Sequence, residues 1–170
     1  MTIIRKMTAA VMAVALVLPL SSCGKPPQPA APLLSLLGCE CTAEYSGRVY
    51  TLNVTNSPQS LFTVSFTSPE SLDGFVCTFM SNGSSVSFDN LSYKSDSATL
   101  GACSLPRILY DIFRSAESTP LTPENSAQQD TAVFTGSTGR FEYTISTDFS
   151  TGKIKSIVSK EMDINLKAVI

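Results

Sequence analysis

The chain has 170 residues, with 12 Lys and Arg against 14 Asp and Glu for a formal charge of −2, and it contains neither His nor Trp. Without imidazole there can be no Ser-His-Asp or Cys-His nucleophile, no His-containing zinc site and no imidazole general base. No run of Lys and Arg supports nucleic-acid binding. An enzyme is therefore the least favoured class, and the expectation is a non-catalytic protein without cofactor, metal or nucleic-acid partner.

Arg5 and Lys6 precede an uncharged apolar run, Met7 to Leu20. A bilayer-spanning helix needs about 20 apolar residues, whereas the core of an export signal has about 7–15, so the run reads as the latter. It ends in Leu20-Ser21-Ser22-Cys23, which resembles the bacterial lipobox: an aliphatic residue, two small residues that fit a peptidase site in extended form, and a cysteine. The expectation is a signal peptide over residues 1–22 and a diacylglyceryl thioether on Cys23. Each buried lipid methylene contributes about 0.8 kcal/mol, and two chains anchor far better than one. The implied location is the extracytoplasmic face of the cell membrane, with the membrane itself as a partner. Residues 23–38 carry Pro26, Pro27, Pro29 and Pro32 and read as an extended tether. Leu33, Leu34, Leu36 and Leu37 are expected to pack on the domain or on the membrane.

The remaining residues, 39–170, suit one domain. Cys39, Cys41, Ala43 and Tyr45 alternate with polar residues and predict a strand with one apolar face. Ser46-Gly47-Arg48 is a turn. Tyr50, Leu52 and Val54 share a face in the next strand, and Phe62, Val64 and Phe66 do so in the third. "PESLDG" (Pro69 to Gly74) reads as a short helical turn with Leu72 as an apolar plug. Phe75, Cys77 and Phe79 alternate in a fourth strand, and Asn82-Gly83 signals a hairpin into Val86 and Phe88. Residues 89–93 are expected to lead out of the sheet.

From Leu105 to Ser115 the period changes. Leu105, Ile108, Leu109, Ile112 and Phe113 form one helical stripe, with Ser104 as N-cap and Pro106 in the first turn. Arg107, Asp111 and Arg114 fall on the wet face. Thr119 to Gln129 is polar and reads as a loop. Strand patterns return around Ala132 and Phe134, at Phe141, Tyr143 and Ile145, over Ile154–Ser159 and over Met162–Ile170. The sum is about nine strands and one main amphipathic helix, an α+β domain whose antiparallel sheet either curls on itself or leaves a cleft beneath the helix; a curved sheet is the expectation.

The segments "CECTAEYSGRVYTLNV", "LFTVSFTSPESLDGFVCTFMSNGSSVSFDNLSY" and "YTISTDFSTGKIKSIV", with the helix between the last two, resemble small lipoproteins of Gram-positive anaerobes. Their order of elements is similar to the lipoprotein-carrier half-barrel of the LolA, LolB and LppX type, in which a curved sheet wraps around helices. The resemblance is one of order and spacing, and it departs from the family in having a single clear helix. It implies an apolar cavity for acyl chains, which Phe62, Val64, Phe66, Phe75, Phe79, Phe141 and Tyr143 would line. The function it implies is binding of a lipid or a lipid-modified protein at the cell envelope. The alternative is an envelope interaction module whose core is filled.

Four cysteines fall within the domain: Cys39, Cys41, Cys77 and Cys103. Buried free thiols are the favoured reading and a bridge from Cys77 to Cys39 or Cys41 is another; a four-cysteine zinc site is the least favoured, because C-x-C is not the usual zinc spacing. Cys39 and Cys41 share a strand face and are expected to be poorly placed to bond each other.

Overall fold

A computed structural model describes residues 28–57, 61–95, 100–124 and 130–168. The expected export signal, Cys23 and the first part of the expected tether lie outside the described residues. Eleven strands occur among the described residues, in one antiparallel sheet. The first six form a meander: β1 (Leu36–Tyr45), β2 (Arg48–Ser57), β3 (Leu61–Ser68), β4 (Val76–Met80), β5 (Gly83–Phe88) and β6 (Leu91–Ser95). Helix α1 (Leu105–Ser118) follows. Then come β7 (Thr122–Glu124), β8 (Thr131–Ser137), β9 (Glu142–Asp148), β10 (Ile154–Ser159) and β11 (Ile164–Ala168). The spatial order is β6-β5-β4-β3-β2-β1-β11-β10-β9-β8-β7. The helix thus carries the chain from one edge of the sheet to the other, and β11 returns to pair with β1 at the centre.

The sheet has eleven strands where the alternation predicts nine, and the two additional ones are its edges. Residues 91–95 do not leave the sheet but pair with β5 as β6. Residues 122–124, expected in a loop, pair with β8 as β7. Neither strand buries a residue, so neither carries the apolar alternation that marks a strand in sequence. Pro123 is tolerated in β7 because an edge strand has one side free of ladder hydrogen bonds. β1 also begins three residues before the expected domain boundary.

The interior strands follow the period-two pattern. Cys41, Ala43, Leu52, Val54, Phe62, Val64, Phe66, Cys77 and Phe79 are buried on one face, as are Tyr143, Ile145, Ile157, Ile164 and Leu166 from the other half. Ser46 and Gly47, both at positive φ, make the two-residue turn between β1 and β2 whose twist matches the flanking strands. The 3₁₀ turn at Glu70–Leu72 holds the plug residue Leu72 against the core. α1 buries Leu105, Ile108, Leu109, Ile112, Phe113 and Ala116 and runs three residues beyond its expected end. Pro106 sits in its first turn, but the Ser104 hydroxyl makes no capping bond.

Sheet curvature follows from what the helix touches. Tyr110 stacks on Phe79 of β4 at 4.6 Å, and the Ser115 hydroxyl donates to the Ser137 carbonyl of β8 at 2.7 Å. In a flat sheet β4 and β8 would be about 34 Å apart, at about 4.8 Å per strand. Five residues of helix rise only about 7.5 Å. The sheet must therefore curl around α1, which occupies its concave side.

One polar cluster ties the start of the sheet to the end of the helix. The buried Asn56 amide donates to the Leu34 carbonyl at 2.8 Å and to Glu117 Oε1 at 2.7 Å. Arg114 holds the other oxygen of Glu117 at 2.6 Å. Asn56→Ala leaves a carbonyl and a carboxylate without this donor. It is expected to cost about 1–3 kcal/mol in denaturant unfolding; a cost indistinguishable from zero would mean water replaces the amide.

Candidate functional site

The seven residues predicted to line a cavity all lie on the concave side, in two groups. Phe62, Val64 and Phe66 on β3, Phe79 on β4 and Phe75 just before it make the first. Phe141 and Tyr143, at the start of β9, make the second. Six of the seven are buried, and Phe75 is half-buried. They form the layer between sheet and helix. The Phe62 ring lies 5.3 Å from Phe113, 5.8 Å from Tyr110 and 6.2 Å from Phe79. Phe66 meets Tyr50 and Phe75, each at 5.9 Å and edge-on. These are ordinary core aromatic geometries. Tyr110, absent from the expected lining, joins the first group from the helix through Phe62 and Phe79. Its phenol ring also has Arg107 and Arg114 within 5.5 Å of its centre.

Tyr143 alone of the seven borders an open depression of about 830 Å³, beside Thr122, Thr135, Gly136, Glu142 and Lys160. That rim is mixed and mostly polar. The tyrosine reaches it across Gly136, its Cα partner on β8. A Cβ on Gly136 would stand 2.5 Å from the Tyr143 ring and hydroxyl oxygen and 2.8 Å from Leu121. Glycine is therefore the residue that lets the ring lie flat over β8. The Tyr143 hydroxyl is buried without a full hydrogen bond among the described residues. Burial raises its pKa, and the neighbouring Ser115 hydroxyl lowers it in part.

A second depression, of about 570 Å³, lies on the outer face of α1 against the β8–β9 turn. Its arginines are already engaged. Arg140 reaches Asp111 at 3.1 Å and the Ala102 carbonyl at 2.9 Å, and Arg107 pairs with Asp111 at 2.9 Å. These bonds, with the Tyr45 hydroxyl on the Cys103 carbonyl, hold the helix over the apolar layer.

The segment expected to be a tether is partly docked. The Ala30 amide donates to the Phe149 carbonyl at 2.9 Å and the Leu33 amide to the Gly152 carbonyl at 2.8 Å. Leu34 and Leu36 pack against the core, while Leu33 is half exposed. The receiving β9–β10 turn is organised by Asp148, whose Oδ1 accepts from the amides and hydroxyls of both Ser150 and Thr151 at 2.8–3.1 Å. The Ser150 hydroxyl, followed by the Thr151 amide and hydroxyl, holds the Asp148 carboxyl well below the usual carboxylate range. A depressed native pKa adds stability that is complete above the unfolded value of about 3.9 and is lost as pH falls below it. Asp148→Asn is therefore expected to lower the melting temperature at neutral pH, with the gap to the parent shrinking as the solution is acidified below about pH 4. A gap independent of pH would assign the turn's stability to geometry rather than to charge.

All four domain cysteines are free. A bridge from Cys77 to Cys39 or Cys41 is excluded by topology. β4 and β1 are separated by β2 and β3, a lateral distance of about 14 Å against the roughly 7 Å limit between bridged Cα atoms. Burial pushes the Cys77 thiol up to about 12. Cys39 and Cys41, expected to be poor bonding partners, have their sulfurs 3.9 Å apart, with the Cys41 thiol donating to Cys39 Sγ. Among the described residues no three His, Cys, Asp or Glu side chains are grouped to hold a metal ion, and no helix is long and apolar enough to cross a membrane.

One solved structure superposes over most of this chain. An uncharacterized conserved protein from Thermus thermophilus superposes with a TM-score of 0.50 at 15% identity, over 81% of this chain and 77% of its own. At that identity the likeness is one of fold. A distant structural neighbour is a LolA superfamily protein from Nitrosomonas europaea, with a TM-score of 0.37 and 14% identity, over 72% of this chain and 61% of its own. No family model matches the sequence, and no curated protein does.

Proposed function

We propose that this chain is a membrane-anchored, extracytoplasmic lipoprotein without catalytic activity, and that it takes an acyl chain or lipid-modified protein against its concave face. The observation that carries the reading is the proportion of sheet to helix. An extensive apolar face spanning β4 to β8 is covered by a single helix of 14 residues. That helix is joined to edge strands at both ends, and no interior strand has to break for it to tilt. A ligand would enter by displacing α1 from the Phe62 and Phe79 side, replacing helix–sheet contacts with acyl–sheet contacts of similar apolar character. The anchor rests on the Leu20-Ser21-Ser22-Cys23 sequence after an uncharged run.

Native mass spectrometry of the full-length protein, isolated from membranes in mild detergent, tests the ligand. The expected result is a lipid adduct that survives until α1 is unfolded. The mass of the anchored protein with no further adduct under all conditions overturns it. The anchor has its own test: Cys23→Ser is expected to abolish incorporation of labelled fatty acid and to release the protein from the membrane fraction. Continued labelling would place the lipid elsewhere.

A second reading, an envelope interaction module with a filled core, is favoured by one observation, the fully buried Phe62 with ring contacts on three sides. Under that reading the protein carries no lipid beyond its anchor.

A further inference from the structure

We propose that Cys39 and Cys41 form a reversible dithiol–disulfide pair that exchanges with a small-molecule disulfide. The two residues stand at i and i+2 of β1, so their side chains leave the same face of the strand. The sulfurs are 3.9 Å apart with an S–H···S contact between them. The Cys41 thiol is also close to the Cys39 carbonyl, at 3.5 Å. Closing a bond of about 2.05 Å needs the two side chains to rotate toward each other.

The backbone must also yield. In a regular strand the two Cα atoms are about 6.7 Å apart, at the upper end of the range of about 4.4–6.8 Å seen for disulfides. The strand is not regular there. The register of β1 against β2 shifts between Leu36 and Cys39, and Gly38 takes a positive φ of 67°. On its other side the pairing of β1 with β11 runs from Cys41 onward among the described residues. Cys39 therefore lies next to a bulge, where the backbone can shift without breaking the central pairing. A bridge closed near the geometric limit is strained, and strained disulfides are the readily reduced, reversible ones.

Exposure assigns the order of events. Cys39 is half-buried and Cys41 is 1% exposed. The Cys39 thiol loses its proton to solvent, and its sulfur attacks the external disulfide RSSR. A Cys39–S–S–R bond forms and RS⁻ leaves, to be protonated. Cys41 then loses its proton and attacks Cys39 Sγ, releasing the second RS⁻. In sum two protein thiols are oxidised to one disulfide, and RSSR is reduced to two RSH. Burial, and secondarily the neighbouring Cys39, pushes the Cys41 thiol up to about 12. Closure is therefore the slower step, and the mixed disulfide on Cys39 precedes it.

The test uses the full-length protein, reduced and equilibrated in buffers of rising glutathione disulfide to glutathione ratio, then acid-quenched and alkylated. Cleavage after Glu40 separates the two cysteines. The expected result is a species about 2 Da lighter in which the Cys39 and Cys41 peptides stay joined until reductant is added. Cys41→Ser is expected to stop at a glutathione adduct on Cys39, and Cys77→Ser to leave the bridge unchanged. A wild-type chain whose Cys41 remains alkylatable across the series overturns the proposal. So does a bridge that joins Cys39 to Cys77 or Cys103. The wild-type peptide map decides the matter without relying on the folding of any variant.

Discussion

Phe62→Ala is expected to lower the unfolding free energy by about 3–5 kcal/mol, the range for removing a buried aromatic ring. Phe62 is 0% exposed, and its ring touches two residues of α1 and one of β4. Truncation removes the contact that joins helix to sheet and leaves a hole that three aromatic neighbours cannot collapse to fill. Denaturant unfolding measures the loss, with the exposed neighbour Leu61→Ala as a control expected to change stability by less than about 0.5 kcal/mol. The outcome also bears on function. A loss below about 1 kcal/mol would mean that the layer is loosely held, as a face that admits a ligand must be. A full loss would mean that any ligand has to compete with a well-packed interior.

Gly152→Ala is expected to be the most damaging single change in the turns, at a glycine buried beneath the docked segment. Gly152 has a φ of +70°, a conformation that costs other residues about 1–2 kcal/mol. A Cβ there would also collide with the Ala31 carbonyl. The collision is with backbone, so relief requires residues 30–33 to move. The hydrogen bonds of Ala30 to Phe149 and of Leu33 to Gly152 would then open together. Hydrogen exchange at those two amides should accelerate by an order of magnitude or more, with β1 to β3 still protected. Unchanged exchange at Ala30 and Leu33 would show that the turn deforms and the segment stays docked.

The interior of this fold is legible in sequence because each central strand buries one face, and burial writes period two into the chain. Phe62, Val64 and Phe66 or Phe141, Tyr143 and Ile145 could hardly be read otherwise. The edges are illegible for the same reason. β6 presents Leu91 at 76% and Tyr93 at 63% exposure, and β7 is three exposed residues around a proline, so no burial constrains either pattern. Asn56 is equally hidden. A polar residue at the end of an apolar strand reads as the start of a turn, and only the approach of Leu34 and Glu117 gives its burial a purpose. For the site, alternation marks which face is apolar but cannot say what fills it. Whether seven apolar residues enclose space or a helix depends on how tightly the sheet curls, and that is set by contacts between Tyr110 and Phe79 on one side and Ser115 and Ser137 on the other. The cysteine pair shows the same limit. Sequence places both thiols on one face, but the bulge at Gly38 decides how near they come.

The pairing of β1 with β11 has a kinetic meaning. Among the described residues β1 is completed by β11, across more than a hundred residues, while the other ladders join strands close in sequence. As the chain emerges N-terminus first, β1 to β6 can zip into a meander, and β7 to β11 into a second one. The seam between them cannot close until Ile164–Ala168 has arrived. Until then the inner edge of β1 is an open template for foreign strands. The last strand therefore acts as the clasp of the fold, and the interval before it closes is when the protein is most exposed to misassembly.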